Sequence, residues 1–221
     1  GNGISGTITI GGTGIQTAIG TCSTASTAWG NGVSGKRNYS LNFDGNDDYI
    51  TYGTSHSKLR STAGISFGGW IKWGAFGSTD GGYAIMSYSD AATNGFLLYQ
   101  ATGSPFNRAQ AFVDTSGGIV SGSSSELNTG QWYHVFATYD GTTFRLYING
   151  VQQASSNMSG AVDWATITNP FLVGSTYTTG GSKFTGQADD LRVYNYGLTA
   201  VQVRTLFNNG AVNFGPNTGA P

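Results

Sequence analysis

The chain has 221 residues, 10 Lys+Arg against 11 Asp+Glu for a net charge of −1, 36 glycines, and only 10% charged but 13% aromatic residues. That length suits one all-β domain. The absence of any basic run argues against nucleic acid and anionic lipid as partners, and no run reaches the ~18 apolar residues of a membrane-spanning helix. Glycine has no three-residue period and aromatics are plentiful, so collagen and plain disorder are also excluded.

Turn chemistry divides the sequence. Asn-Gly or Asp-Gly pairs, the strongest short hairpin signal, stand at Asn2, Asn31, Asp44, Asp80, Asn94, Asp140, Asn149 and Asn209. Between them the predicted strands run Thr7 to Ile10, Tyr39 to Phe43, Tyr49 to Tyr52, Ile65 to Trp73, Tyr83 to Tyr88 and Phe96 to Gln100. They continue as Ala109 to Asp114, Gly118 to Ser121, Gln131 to Tyr139, Thr143 to Ile148, Val151 to Ala154, Phe171 to Val173 and Gln187 to Tyr194. Trp29 to Gly35 reads as a loop. Many short strands at 8–12-residue spacing predict an antiparallel two-sheet sandwich or jelly roll. In the hairpin from Trp132 to Ile148, Phe144, Leu146 and Ile148 alternate with Thr143, Arg145 and Tyr147. In the last strand, strict alternation places Leu191 and Val193 on one face with Asp189, and Asp190, Arg192 and Tyr194 on the other. One short helix is predicted over Ala200 to Phe207, with Thr199 as N-cap and Asn209-Gly210 as its stop. A domain over 1–212 and a tail or linker over 213–221 complete the organisation.

Cys22 is the single cysteine, so an intramolecular disulfide is impossible, and it reads as a small buried residue. The chain opens on Gly1 rather than Met, which predicts a processed product or part of something longer. Few Lys and Glu among many Thr, Ser, Asn and Gly fit an extracellular, cell-surface or virion-surface setting.

Five blocks, in order, resemble the laminin-G-like family of the concanavalin A-like jelly rolls. They are Ser40 to Ile50 (SLNFDGNDDYI), Ile65 to Ile71 (ISFGGWI), Trp132 to Gly141 (WYHVFATYDG), Leu146 to Gly150 (LYING) and Phe184 to Asn195 (FTGQADDLRVYN). The resemblance covers roughly Gly1 to Gly210 and implies the jelly-roll fold. It implies no single function, because the fold hosts many. Members usually carry an aromatic strand ahead of a Gly-Asn-Gly segment, and here Gly1-Asn2-Gly3 opens the chain. The exposed edge this suggests could be covered by Thr7 to Ile10, by Ala211 to Gly215, by a longer precursor or by a neighbouring subunit.

Two kinds of site stand out. Asp44, Asp47 and Asp48 share one tight turn, and Asp189-Asp190 open a late strand; clustered carboxylates suit a hard cation such as Ca²⁺. The resemblance likewise implies structural calcium, with Asp44 and Asp190 the leading ligands. Trp73, Tyr83, Phe106, Trp164 and Tyr177 fall near loops or strand ends where a sugar could stack, while Trp70 and Trp132 read as packing. Catalysis has less support. Glu126 is the single Glu and has no acidic neighbour for paired-carboxylate glycoside hydrolysis; of the two histidines, His56 and His134, the latter reads as a satisfied strand residue, and Cys22 has no His nearby in sequence. The expected function is therefore a non-catalytic surface module for assembly or adhesion, binding copies of itself or other subunits. The alternative is a calcium-stabilised carbohydrate-binding module.

Overall fold

The computed structural model describes residues 7–10, 20–22, 33–37, 39–54, 56–77, 83–90, 93–165, 167–176 and 182–208. The strands are β1 (Thr7–Ile10), β2 (Gly20–Cys22), β3 (Val33–Ser34), β4 (Tyr39–Asp44), β5 (Tyr49–Thr51), β6 (Ile65–Trp73), β7 (Ala84–Asp90) and β8 (Thr93–Gln100). They continue with β9 (Arg108–Thr115), β10 (Gly118–Glu126), β11 (Trp132–Tyr139), β12 (Thr143–Ile148), β13 (Val151–Asn157), β14 (Leu172–Val173) and β15 (Thr185–Tyr194), and one helix follows, α1 (Ala200–Phe207). Two antiparallel sheets face each other. The first runs β10-β9-β8-β7-β14-β5-β1-β2 and the second β13-β12-β11-β6-β15-β4-β3.

The alternation of each strand builds the core between the sheets. Ile65, Phe67, Ile71 and Trp73 of β6 point inward with Val135, Ala137 and Tyr139 of β11, and meet Met86, Phe96, Leu98, Ala111 and Val113 from the first sheet. Phe144, Leu146 and Ile148 join them, as their spacing predicts. The outer face of the second sheet is covered by α1: Phe136, Tyr147, Leu198 and Val203 form a separate cluster there. The helix starts with a capping box, in which Thr199 accepts from the Gln202 N–H and the Gln202 side chain accepts from the Thr199 N–H.

Several expectations change. β2 and β3 have no sequence signal, and β3 occupies part of the segment that reads as a loop. The Ser-rich stretch after Ser121 continues β10 to Glu126. Asp44-Gly45 makes no hairpin, because β4 and β5 belong to different sheets; the turn carries the chain across the sandwich. Asn94 and Gly95, at φ 62° and 63°, form a bulge inside β8 rather than its turn. Asn149 and Gly150, at 52° and 76°, do form the two-residue hairpin between β12 and β13.

Strict alternation also fails in β15. Asp189 pairs with Trp70 but Arg192 pairs with Gly68, so β15 holds one extra residue. Asp190, at φ 48°, is the left-handed residue of this bulge. The bulge reverses the parity, so Ala188 before it and Leu191 and Val193 after it all pack into the core. Asp189 therefore lies on the opposite face from Leu191 and Val193.

Edges are short or locked. Thr7–Ile10 of β1 pairs with β5 on one side and β2 on the other, so β1 itself is not an open edge. At the other flank β10 and β13 meet across the sheets, where the Ser156 hydroxyl donates to the Ser121 carbonyl and Ser125 donates to Gln153. Gly122 permits this approach: a Cβ there would stand 2.7 Å from that of Ala154. The tail over 213–221 lies outside the described residues.

Candidate functional site

The predicted site residues separate to the two ends and one face of the sandwich. At one end, beside the β8–β9 and β10–β11 connections, lies the turn from β4 to β5. Asp44, Asp47 and Asp48 bring carboxylate oxygens within 4.8 Å of one another. Two oxygens on one calcium at about 2.4 Å each can be no more than about 4.8 Å apart, so the spacing of these three carboxylates is compatible with that ion. Gly45, at φ 86°, lies so close to Thr185 that a Cβ would collide with its hydroxyl, which fixes the turn against β15. Asp48 accepts the Asp44 N–H at 3.1 Å and Asp44 accepts the Asn46 N–H at 2.8 Å. Lys183 stands nearby, buried, its ammonium 4.5 Å from the Tyr49 ring centre. Burial lowers its pKa while the charges of Asp47 and Asp48 oppose that shift.

Asp189 and Asp190 do not join this cluster. Thr185 pairs with Asp44, so Asp189 lies four residues further along β15, about 13 Å away. Their partners are a backbone amide and two guanidinium groups of the protein. Asp189 accepts the Arg37 N–H, and Asp190 bridges the guanidinium of Arg37 at 3.2 Å and of Arg192 at 2.8 Å. A sequence pattern of adjacent acids cannot reveal this, because Arg37 comes from 152 residues earlier.

The aromatic residues make no common platform. Trp73 is fully buried, stacked on Phe76 and edge-on to Phe184, so it cannot offer a face to a sugar. Tyr83, which lies over Gly77, and Phe106 are half-buried at the acidic end. Trp164 is at the opposite end, packed on Tyr88 and Phe96, with its indole N–H donating to the Ser61 carbonyl. Tyr177 lies outside the described residues. His134 is enclosed by Trp70, Phe136 and Phe207 on the outer face of the second sheet. Burial pushes its pKa down to about 4; Asp190 opposes the shift and Arg37 and Arg192 reinforce it.

The opposite end holds the feature that the motifs missed. The connection from β5 to β6 arches over Tyr88, and a cavity of about 400 Å³ opens between it and the segment before β14, lined by Thr54, His56, Ser57, Arg60, Ile167 and Thr168. Arg60 is held in place: Nε donates to the Tyr88 hydroxyl at 2.9 Å, Nη2 donates to the Thr54 carbonyl at 3.2 Å, and the guanidinium lies 5.3 Å from the Tyr88 ring centre. The Tyr88 hydroxyl in turn donates to the same Thr54 carbonyl at 2.9 Å. His56 sets its ring edge toward Tyr88, and its Nε2 is buried with no hydrogen-bond partner. Thr168 is anchored from behind, its N–H and hydroxyl both donating to Asp90. The only sequence signal was compositional: Gly53 to Gly64 is a long polar connection, the kind of segment that carries function on a rigid scaffold. On its other flank a more apolar cavity of about 440 Å³ reaches between the sheets, past Tyr52, Leu59, Phe171 and Val193.

A family model of the concanavalin A-like lectin/glucanase superfamily, laminin-G type, matches residues 44–204, well over half of the sequence. The chain belongs to that superfamily. This member has the same fold as several solved binding domains. Domain 4 of AbnA, a GH43 extracellular arabinanase from Geobacillus stearothermophilus solved with arabinotriose, is 23% identical with a TM-score of 0.64, over 91% of this chain and 87% of that one. The binding domain of Paraclostridial Mosquitocidal Protein 1 is 16% identical with a TM-score of 0.62, over 80% of this chain and 45% of its own. The ligand-binding domain of botulinum neurotoxin serotype D, solved with N-acetylneuraminic acid, is 13% identical with a TM-score of 0.57, over 82% and 45%. This chain thus spans less than half of the two toxin domains. At these identities the likeness is one of fold. No curated protein sequence matches the chain. No helix among the described residues is long and apolar enough to cross a membrane.

Proposed function

We propose that this domain is a non-catalytic carbohydrate-binding module acting in an extracellular or surface setting, with the saccharide held in the cavity of Thr54, His56, Ser57, Arg60, Ile167 and Thr168. The observation that carries the reading is that cavity: about 400 Å³ at one end of a rigid sandwich, enough for one or two sugar rings, walled by hydroxyl, imidazole and guanidinium groups. Such groups match sugar hydroxyls, while Ile167 supplies an apolar patch for C–H faces. The solved neighbours with arabinotriose and N-acetylneuraminic acid give the same fold a saccharide in two other proteins. Assembly through an exchanged strand is the weaker reading, because β1 is paired on both sides by strands of the same chain. Calcium, if taken up by Asp44, Asp47 and Asp48, would be structural, tying the sheet crossing together at the end far from the cavity.

The reading is tested by titrating a saccharide panel into the protein by calorimetry. Micromolar-to-millimolar binding is expected, weakened by about tenfold in His56→Ala and in Ser57→Ala with Thr54→Ala. Absence of binding across the panel, or binding that those variants leave unchanged, would overturn it.

A further inference from the structure

The walls of the cavity carry charge of one sign. From Tyr52 to Gly64 the connection contains His56, Lys58 and Arg60 and no acidic residue, and from Trp164 to Phe171 the facing segment contains none either. The carboxylate of Asp90 is turned to the facing segment, where it accepts the Thr168 N–H, the Thr168 hydroxyl and the Asn169 N–H. Arg60 is fixed before any ligand arrives, because two of its nitrogens are bound to Tyr88 and Thr54. Its Nη1 is the donor atom left over, and no acid of the protein pairs with it among the described residues. His56 lines the same cavity. A neutral sugar needs no such arrangement, since hydroxyls are matched equally well by amides and hydroxyls. A fixed guanidinium with no acid of the described residues paired to it is the arrangement that selects an anion.

Building on the carbohydrate-binding reading, we infer that the ligand of this cavity is an acidic saccharide, whose carboxylate accepts from Nη1 of Arg60. The sugar ring then lies toward Ser57, Thr54 and Ile167. Lys58, exposed on the same connection, adds long-range attraction without entering the cavity wall.

The test uses matched pairs that differ only in charge: oligogalacturonate with its methyl ester, and sialyllactose with lactose, titrated into the intact protein by calorimetry. The acidic member of a pair is expected to bind about tenfold more tightly at low salt, with the advantage shrinking as salt is raised. Arg60→Gln should abolish the preference, so that the acidic and neutral members of each pair bind alike. Arg60→Lys keeps the charge without the fork and should retain part of the preference. Because Arg60 also braces Thr54, the melting temperature of each variant is recorded, and the salt dependence of the unmutated protein tests the inference without any substitution. Equal affinity for acid and ester, or binding of neutral members alone, overturns the inference and leaves the carbohydrate reading standing. A preference that survives Arg60→Gln in a folded protein overturns the role of Arg60. Failure of every member, acidic and neutral, overturns the carbohydrate reading itself.

Discussion

His134 shows how one residue is decided by its surroundings. In sequence it is one of two histidines, on a strand and open to roles in catalysis or packing. In the structure its ring stacks on Phe136, 11° from parallel, and meets the edge of Trp70. Charging it would strand an imidazolium among rings, and its pKa falls from 6.5 to about 4. The folded state therefore takes up the proton less readily than the unfolded chain. Stability is fully present above about pH 6.5 and is lost as the pH drops toward 4, by up to roughly 3 kcal/mol. Urea unfolding at pH 7, 5 and 4 should show that loss, and His134→Phe, which keeps the stack, should flatten the profile over the same window. An unaltered profile in the variant would assign the acid sensitivity to another group.

At the scale of elements, the bulge in β15 does most to set what the second sheet presents. A strand without it would bury Asp189 beside Leu191 or expose Leu191 and Val193; the extra residue puts acids outward and aliphatics inward on both sides of one kink. Asp190 suits the position twice over, because Asp tolerates positive φ better than most residues and its carboxylate is bracketed by Arg37 and Arg192. The two contributions can be separated. Asp190→Asn keeps the backbone and removes the ion pairs, and should cost about 1 kcal/mol, since Arg192 is 37% exposed and screened by solvent. Asp190→Val adds the steric penalty of a β-branched residue at positive φ and should cost about 2–3 kcal/mol. Denaturant midpoints for the two variants check the order, and equal losses would mean that the backbone conformation costs nothing extra.

At the scale of the whole molecule, the two ends of the sandwich have different chemistry: an acidic turn at one, a cationic cavity at the other. The acidic turn has a resident cation in Lys183, whose ammonium lies in the field of Asp47 and Asp48. If calcium binds there, it competes with that lysine. Calcium should raise the melting temperature by a few degrees, and the rise should be larger in Lys183→Met, where the carboxylates have lost their internal counter-charge. Scanning fluorimetry with calcium and with excess chelator measures both. Identical melts in both proteins would dismiss the ion and leave Lys183 as the turn's own counter-charge. Saccharide affinity should be unchanged by chelator in either case, because the cavity is at the far end.

Local chemistry alone determined much of this protein. Period-two alternation in Phe144, Leu146 and Ile148, the Asn149-Gly150 turn and the Thr199 cap each depend on neighbours within a few residues, and each is readable in the chain. So is the sandwich itself, since many short strands with turns between them have few ways to bury their apolar faces. What only the tertiary structure decided involves partners far apart in sequence. Asp44-Gly45 looks like any hairpin turn until β4 and β5 are seen to join different sheets, and Asp190 looks like a metal ligand until Arg37 arrives from the connection between β3 and β4. Trp73 and Trp164 are both tryptophans near strand ends, yet one is sealed in the core and the other caps it. The cavity is the extreme case: Arg60 becomes a fixed cation through Tyr88, 28 residues away, and faces Thr168, more than a hundred residues on. No spacing along the chain encodes that meeting, because it is set by how two sheets stack and where their loops come to rest.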